Sequence, residues 1–125
     1  DKGYEENIPE LPFIAAALIL TRVISLPTDD KICIDLGYKA IASENGLQKR
    51  VYFLNAPNLR PFSHSEEHMV LEAGPDHGWR PGDILYALPY HICPTVNLYD
   101  FGYCIKDGIY QGKWSIIARH RSIHY

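Results

Sequence analysis

Apolar and polar positions alternate in short runs along most of this 125-residue chain, with turn residues between the runs. From Phe13 to Leu26 the chain is apolar and increasingly β-branched, reading FIAAALILTRVISL. Its start is compatible with a helix, whereas Thr21 to Leu26 alternates as a strand does. The turn residues Pro27 to Asp30 predict a hairpin into KICIDLG. A second turn at Asn45-Gly46 leads to KRVYFLNA (Lys49 to Ala56), a strand stopped by Pro57. SEEHMVLEAG (Ser65 to Gly74) fits helix and strand equally, because Met69, Val70 and Leu71 run together. Pro81-Gly82-Asp83 makes a turn before ILYALPYHIC, a buried strand in which Pro89 asks for an edge position or a bulge. Asp107-Gly108 predicts a further hairpin, which GIYQGKWSIIA completes before running on into a last strand. The pattern predicts an all-β, mainly β domain of barrel or sandwich type, with room for one short helix. Residues 13–125 form that single domain, behind a polar, proline-containing lead-in or linker at 1–12.

Composition narrows the partners. The apolar share of 46% and charged share of 22% suit an ordinary globular core. A net charge of −3, with basic residues scattered singly, gives no electrostatic case for a nucleic acid or an anionic membrane. The longest apolar stretch is interrupted at Arg22 and falls short of the roughly 20 residues a membrane helix needs. Asp1, Glu5, Glu6 and Glu10 argue against a signal peptide. A chain beginning at Asp1 rather than Met reads as a piece of a longer protein. Cys33, Cys93 and Cys104 form an odd set without a disulfide frame, which favours reduced thiols and a cytoplasmic setting.

The candidate chemistry centres on PYHICPTVNLYD, where His91 and Cys93 stand two apart before Pro94. On a strand, such positions share a face. Imidazole nitrogen and thiolate sulfur are both zinc ligands, although two of them do not complete a site. The plain alternative is a small buried thiol beside a surface histidine. SHSEEH (Ser63 to His68) gathers two histidines and two carboxylates. It reads either as an acid–base cluster or, with the greater weight, as a solvated loop with a local Ser–Glu capping interaction. Lys39 follows a glycine turn without any phosphate-binding companion and reads as structural. His120, Arg121 and His124 read as a solvated tail.

Taken in order, VISLPTDDKICIDLGYKAIASE, SEEHMVLE, RPGDILYALPYHICPTVNLYD and the Asp-Gly hairpin ending in KWSIIARHR resemble the C-terminal domain of the D-serine dehydratase and D-threonine aldolase family. The likeness spans roughly residues 13 to 121, and HICPTVNLYD is its most specific element. It implies a β domain like that of alanine racemase, packed beside an N-terminal α/β barrel that this chain lacks. Pyridoxal phosphate would sit on a lysine of that barrel, so this chain holds no cofactor-binding residue, and no catalytic residue is assigned within it. The resemblance maps a zinc site, or a site for another divalent metal, onto His91 and Cys93. It implies a lyase of D-amino acid metabolism that activates the β-hydroxyl of a D-serine or D-threonine type substrate. It also implies a homodimer whose partner surfaces include the barrel. Cys93 leans toward the dehydratase branch, since the aldolase branch has a carboxylate at that place and a metal such as manganese. The alternatives are a D-threonine aldolase or related racemase, and, in a different class, a stand-alone β binding module without catalysis.

Overall fold

The computed structural model describes residues 1–120, so Arg121 and His124 of the expected tail lie outside the described residues. Helix α1 (Lys2–Asn7) precedes strands β1 (Ile19–Thr28), β2 (Lys31–Ile34), β3 (Val51–Phe53), β4 (Arg60–His64), β5 (Met69–Glu72) and β6 (Ile84–Pro89). Helix α2 (Ile92–Val96) follows, then β7 (Phe101–Lys106) and β8 (Ile109–Ser115). Single 3₁₀ turns cover Leu47–Lys49 and Ile117–Arg119. The first six strands form one antiparallel sheet in the order β3-β6-β1-β2-β5-β4, curled into a half-barrel. The fold is mainly β, as the alternation predicts, with two short α-helices where one was expected.

One face of the curl carries the core. Val23, Ile32, Ile34, Leu36, Ile41, Phe53, Met69, Leu71 and Leu85 are all buried there. Removing each from water contributes about 1.5–3 kcal/mol, so a one-residue slip of any strand would be heavily penalised. Cys33 is buried as well, and burial pushes its thiol up from the ordinary cysteine value. The β1–β2 hairpin closes at Asp29-Asp30, with Thr28 opposite Lys31, as PTDD predicts. Buried Thr21 donates its hydroxyl to Asp35 Oδ1 at 2.6 Å, so this polar group enters the core with its partner.

Several expectations are corrected. Residues 13–18 are irregular, and β1 starts only at Ile19. The KRVYFLNA strand shrinks to Val51–Phe53 because Leu47–Lys49 turns as a 3₁₀ helix. Pro89 lies at the end of an interior strand, where β1 no longer pairs and only Val51 of β3 stands opposite. The missing N–H therefore breaks no ladder on the β1 side. β8 ends at Ser115 and no further strand follows among the described residues. Among the described residues the β7–β8 ribbon pairs only with itself. Its turn is as expected, with Asp107 and Gly108 both at positive φ (52° and 75°), the pairing that a two-residue type I′ turn requires. The lead-in is partly ordered: Gly3 N–H donates to Tyr90 O at 3.1 Å, and Tyr90 donates its hydroxyl to Glu6.

Candidate metal centre

His91 and Cys93 stand at the start of α2 rather than on a strand face. The chain leaves β6 at Pro89, remains extended through His91 (φ −130°, ψ 105°), and turns into the helix at Ile92. Pro94 is the third helical residue, where the missing N–H would have had no intrahelical acceptor. The side-by-side placement expected of a strand is therefore corrected, since positions two apart do not share a helix face. Both residues are nevertheless open to solvent at one helix start: Cys93 is exposed and the His91 side chain is 44% exposed.

A loop between β2 and β3 fixes this corner. Glu44 Oε1 accepts a hydrogen bond from His91 Nδ1. Ala42 N–H donates to Thr95 Oγ1 at 3.1 Å, and Thr95 in turn donates its hydroxyl to His91 O at 2.7 Å. Tyr99 donates its hydroxyl to Ala40 O at 2.7 Å. Residues 40, 42 and 44 thus meet 99, 95 and 91, as three rungs of a ladder. Positions 91, 95 and 99 are spaced four apart, which brings them to one side of a helical turn. Thr95 is only 2% exposed, so the central rung is dry. Partial burial opposes ionisation of Glu44, but hydrogen bonds from its own backbone and from His91, with the His91 and Arg50 charges, hold its carboxyl below the usual carboxylate range.

The donor chemistry fits zinc: an imidazole whose Nδ1 is occupied by a carboxylate keeps Nε2 as its remaining donor, and a thiol lies two residues on. Among the described residues no group of three His, Cys, Asp or Glu is placed to enclose a metal. Two donors alone do not enclose a metal. Glu44, Thr95 and Tyr99 escaped the sequence reading, although the four-residue spacing within HICPTVNLY was a signal for the last two.

SHSEEH has a structural role. Lys39 Nζ pairs with Glu66 at 2.9 Å and Glu67 at 2.7 Å, and its ammonium is raised above the ordinary lysine value by the Glu67 and Glu66 hydrogen bonds. Ser65 and His68 close the β4–β5 turn on each other, with Ser65 N–H donating to His68 O at 2.9 Å. SEEHMVLE resolves as that turn followed by strand β5. His64 Nδ1 faces Arg50 Nη1 at 3.0 Å, and Nε2 faces Leu36 O at 3.1 Å. A guanidinium only donates and a carbonyl only accepts, so the ring is neutral and carries its proton on Nε2. Burial, then the Arg50 charge, hold His64 below the ordinary value of 6.5. Its preference for the neutral form contributes stability above that value, lost as pH falls below it toward the lower folded pKa. Denaturation between pH 7 and 5 is expected to show this slope flattened in His64→Gln. An NMR titration placing His64 at or above its ordinary value would contradict it.

Residues 16–105 match the family described as a putative serine dehydratase domain. The chain belongs to this family. The chain is similar to the D-threonine aldolase of Arthrobacter sp, 31% identical over an alignment of 121 residues that covers 95% of this chain and 31% of that protein. The 3-hydroxy-D-aspartate aldolase of Paracoccus denitrificans is 29% identical over 119 residues, 95% of this chain and 28% of its own length. The chain therefore spans less than a third of these curated relatives. Among solved structures, the D-threonine aldolase of Filomicrobium marinum aligns with a TM-score of 0.71 at 26% identity, covering 82% of this chain and 28% of that one. An alanine racemase-like protein from Idiomarina loihiensis aligns at 0.63 and 22% identity, over 80% of this chain and 31% of its own. Two forms of a D-threo-3-hydroxyaspartate dehydratase align at 0.65 and 0.63, each at 20% identity over 78% of this chain and 30% and 31% of theirs. One carries alanine for a histidine; the other, metal-free, carries alanine for a cysteine two positions later. At these last identities the likeness shows the fold alone.

Proposed function

We propose that this domain supplies the metal-binding half of a pyridoxal-phosphate lyase acting on D-β-hydroxy amino acids, with His91 and Cys93 as its protein ligands. The observation that carries the proposal is the part-exposed imidazole of His91, held at Nδ1 by Glu44, two residues from an exposed thiol. The relatives' names support the substrate class, since D-threonine and 3-hydroxyaspartate both carry a hydroxyl on the β-carbon. The histidine and cysteine replaced two positions apart in the dehydratase, one of them in a metal-free form, support the ligand pair.

Zinc bound here would supply Lewis-acid stabilisation of negative charge on the β-oxygen, a poor leaving group on its own. Pyridoxal phosphate on the barrel lysine would take up the electron pair released at the α-carbon. This chain's part is to present one neutral imidazole and one thiolate, and to keep the remaining coordination positions clear of protein groups. Exposed Tyr103, Ile105, Ile109 and Trp114 on the β7–β8 ribbon offer apolar surface for the barrel and for a second copy of the enzyme. Three free cysteines suit a cytoplasmic enzyme.

Dehydration of a D-serine type substrate is the preferred chemistry, because a thiolate favours zinc over harder cations. Retro-aldol cleavage is the second reading, favoured by the aldolase relatives. Full-length enzyme is expected to hold one zinc per protomer by direct metal analysis and to release pyruvate and ammonia from D-serine. Glycine and an aldehyde from D-threonine would assign the aldolase chemistry instead. Cys93→Ala should lose zinc and activity together while its circular dichroism is unchanged. A variant that kept both would sink the proposal.

A further inference from the structure

We infer that Glu44 is a positioning residue for the metal centre, and that the Ala40–Glu44 loop is the scaffold that aims His91. The inference rests on the reading that His91 and Cys93 bind zinc, and it adds a residue to that site. Glu44 lies 47 positions from His91, and its carboxylate meets Nδ1. Imidazole ligates through one nitrogen, and a carboxylate on the other fixes both tautomer and ring plane. With Nδ1–H given to Glu44, the free lone pair belongs to Nε2.

Glu44 is not free to wander away from this task. The backbone N–H of Ala42 is fixed on buried Thr95, and Ala40 O is fixed on Tyr99. Thr95 also holds the carbonyl of His91 itself, so one hydroxyl ties the loop that carries the carboxylate to the residue that carries the imidazole. These bonds tie the loop to the helix start. Glu44 Oε1 is engaged on His91 Nδ1, the contact by which a carboxylate orients a ligand ring.

The test compares full-length wild type with Glu44→Ala and Glu44→Gln, using zinc alone in competition with a chromophoric chelator. Glu44→Ala is expected to weaken zinc binding by about 10- to 100-fold. Glu44→Gln, which keeps an acceptor oxygen but no charge, should fall between. In metal-free protein labelled with ¹⁵N-histidine, the wild-type His91 signals should show protonated Nδ1 and bare Nε2, and Glu44→Ala should show the two tautomers mixed. Melting temperatures should be unchanged, because Glu44 and His91 are both about half exposed. If wild type binds zinc through His91 and Glu44→Ala binds it within twofold, the positioning role is wrong and the metal site stands. If wild type binds no zinc, the site and this role fall together.

Discussion

Gly37→Ala is expected to destabilise the domain by about 3 kcal/mol, in the upper range for overpacking a closed site. A β-carbon at Gly37 would lie 1.9 Å from the backbone oxygen of Glu66 and 2.3 Å from the nitrogen of Glu67. Neither atom belongs to a flexible side chain, so relief requires backbone movement. That movement would strain the hydrogen bonds from Tyr38 N–H to Ser65 O (2.9 Å) and from Lys39 N–H to Glu66 O (3.1 Å). It would also disturb the Lys39 ion pairs, which are exposed and worth little alone. The same backbone leads within a few residues to Ala40, the first rung of the ladder. Gly37→Ala should therefore weaken metal binding as well as folding. Urea denaturation measures the first effect, and a loss under about 1 kcal/mol would show that the crossing yields more easily than its geometry implies.

His91→Ala should be the most damaging single change to function. On the proposed reading it removes one of two protein ligands, whereas loss of a residue that only orients a ligand costs about 10- to 100-fold. Lyase activity of the full-length enzyme is expected to fall more than roughly a hundredfold, with zinc content near zero. Stability should hardly change, because the side chain is half exposed and the hydrogen bond from Thr95 goes to the His91 carbonyl, which alanine retains. Zinc analysis, initial rates and thermal melting on one preparation separate these effects. Undiminished turnover with full zinc content would remove His91 from the site.

What could be read in advance follows physical locality. The Asp107-Gly108 turn was legible because two adjacent residues that tolerate positive φ determine it. Met69–Glu72 was ambiguous because Val70 hides the alternation: it is half-buried, while Met69 and Leu71 on either side are fully buried. The strand reading of ILYALPYHIC ran too far because the single polar residue between Tyr90 and Ile92, His91, fits the alternation of a strand and does not read as a break. Pro94 was the overlooked sign, since a first helical turn accepts a proline that a strand interior does not. α1 shows no apolar periodicity and contains no buried residue, and its Asp1 cap became visible only in three dimensions. The family likeness carried His91 and Cys93, yet Glu44 stayed out of reach because only the folded sheet brings it to the imidazole.

Asp1 links α1 to the start of α2. One carboxylate oxygen caps α1 through Tyr4 N–H at 2.8 Å, and the other accepts the Ile92 N–H at 2.9 Å, one residue from His91. A pull on residue 1 must either break that second bond or carry the first turn of α2 with it. Displacing Asp1 would thus shift the backbone that carries the imidazole and the thiol, so α1 and the two candidate ligands are coupled through a single side chain.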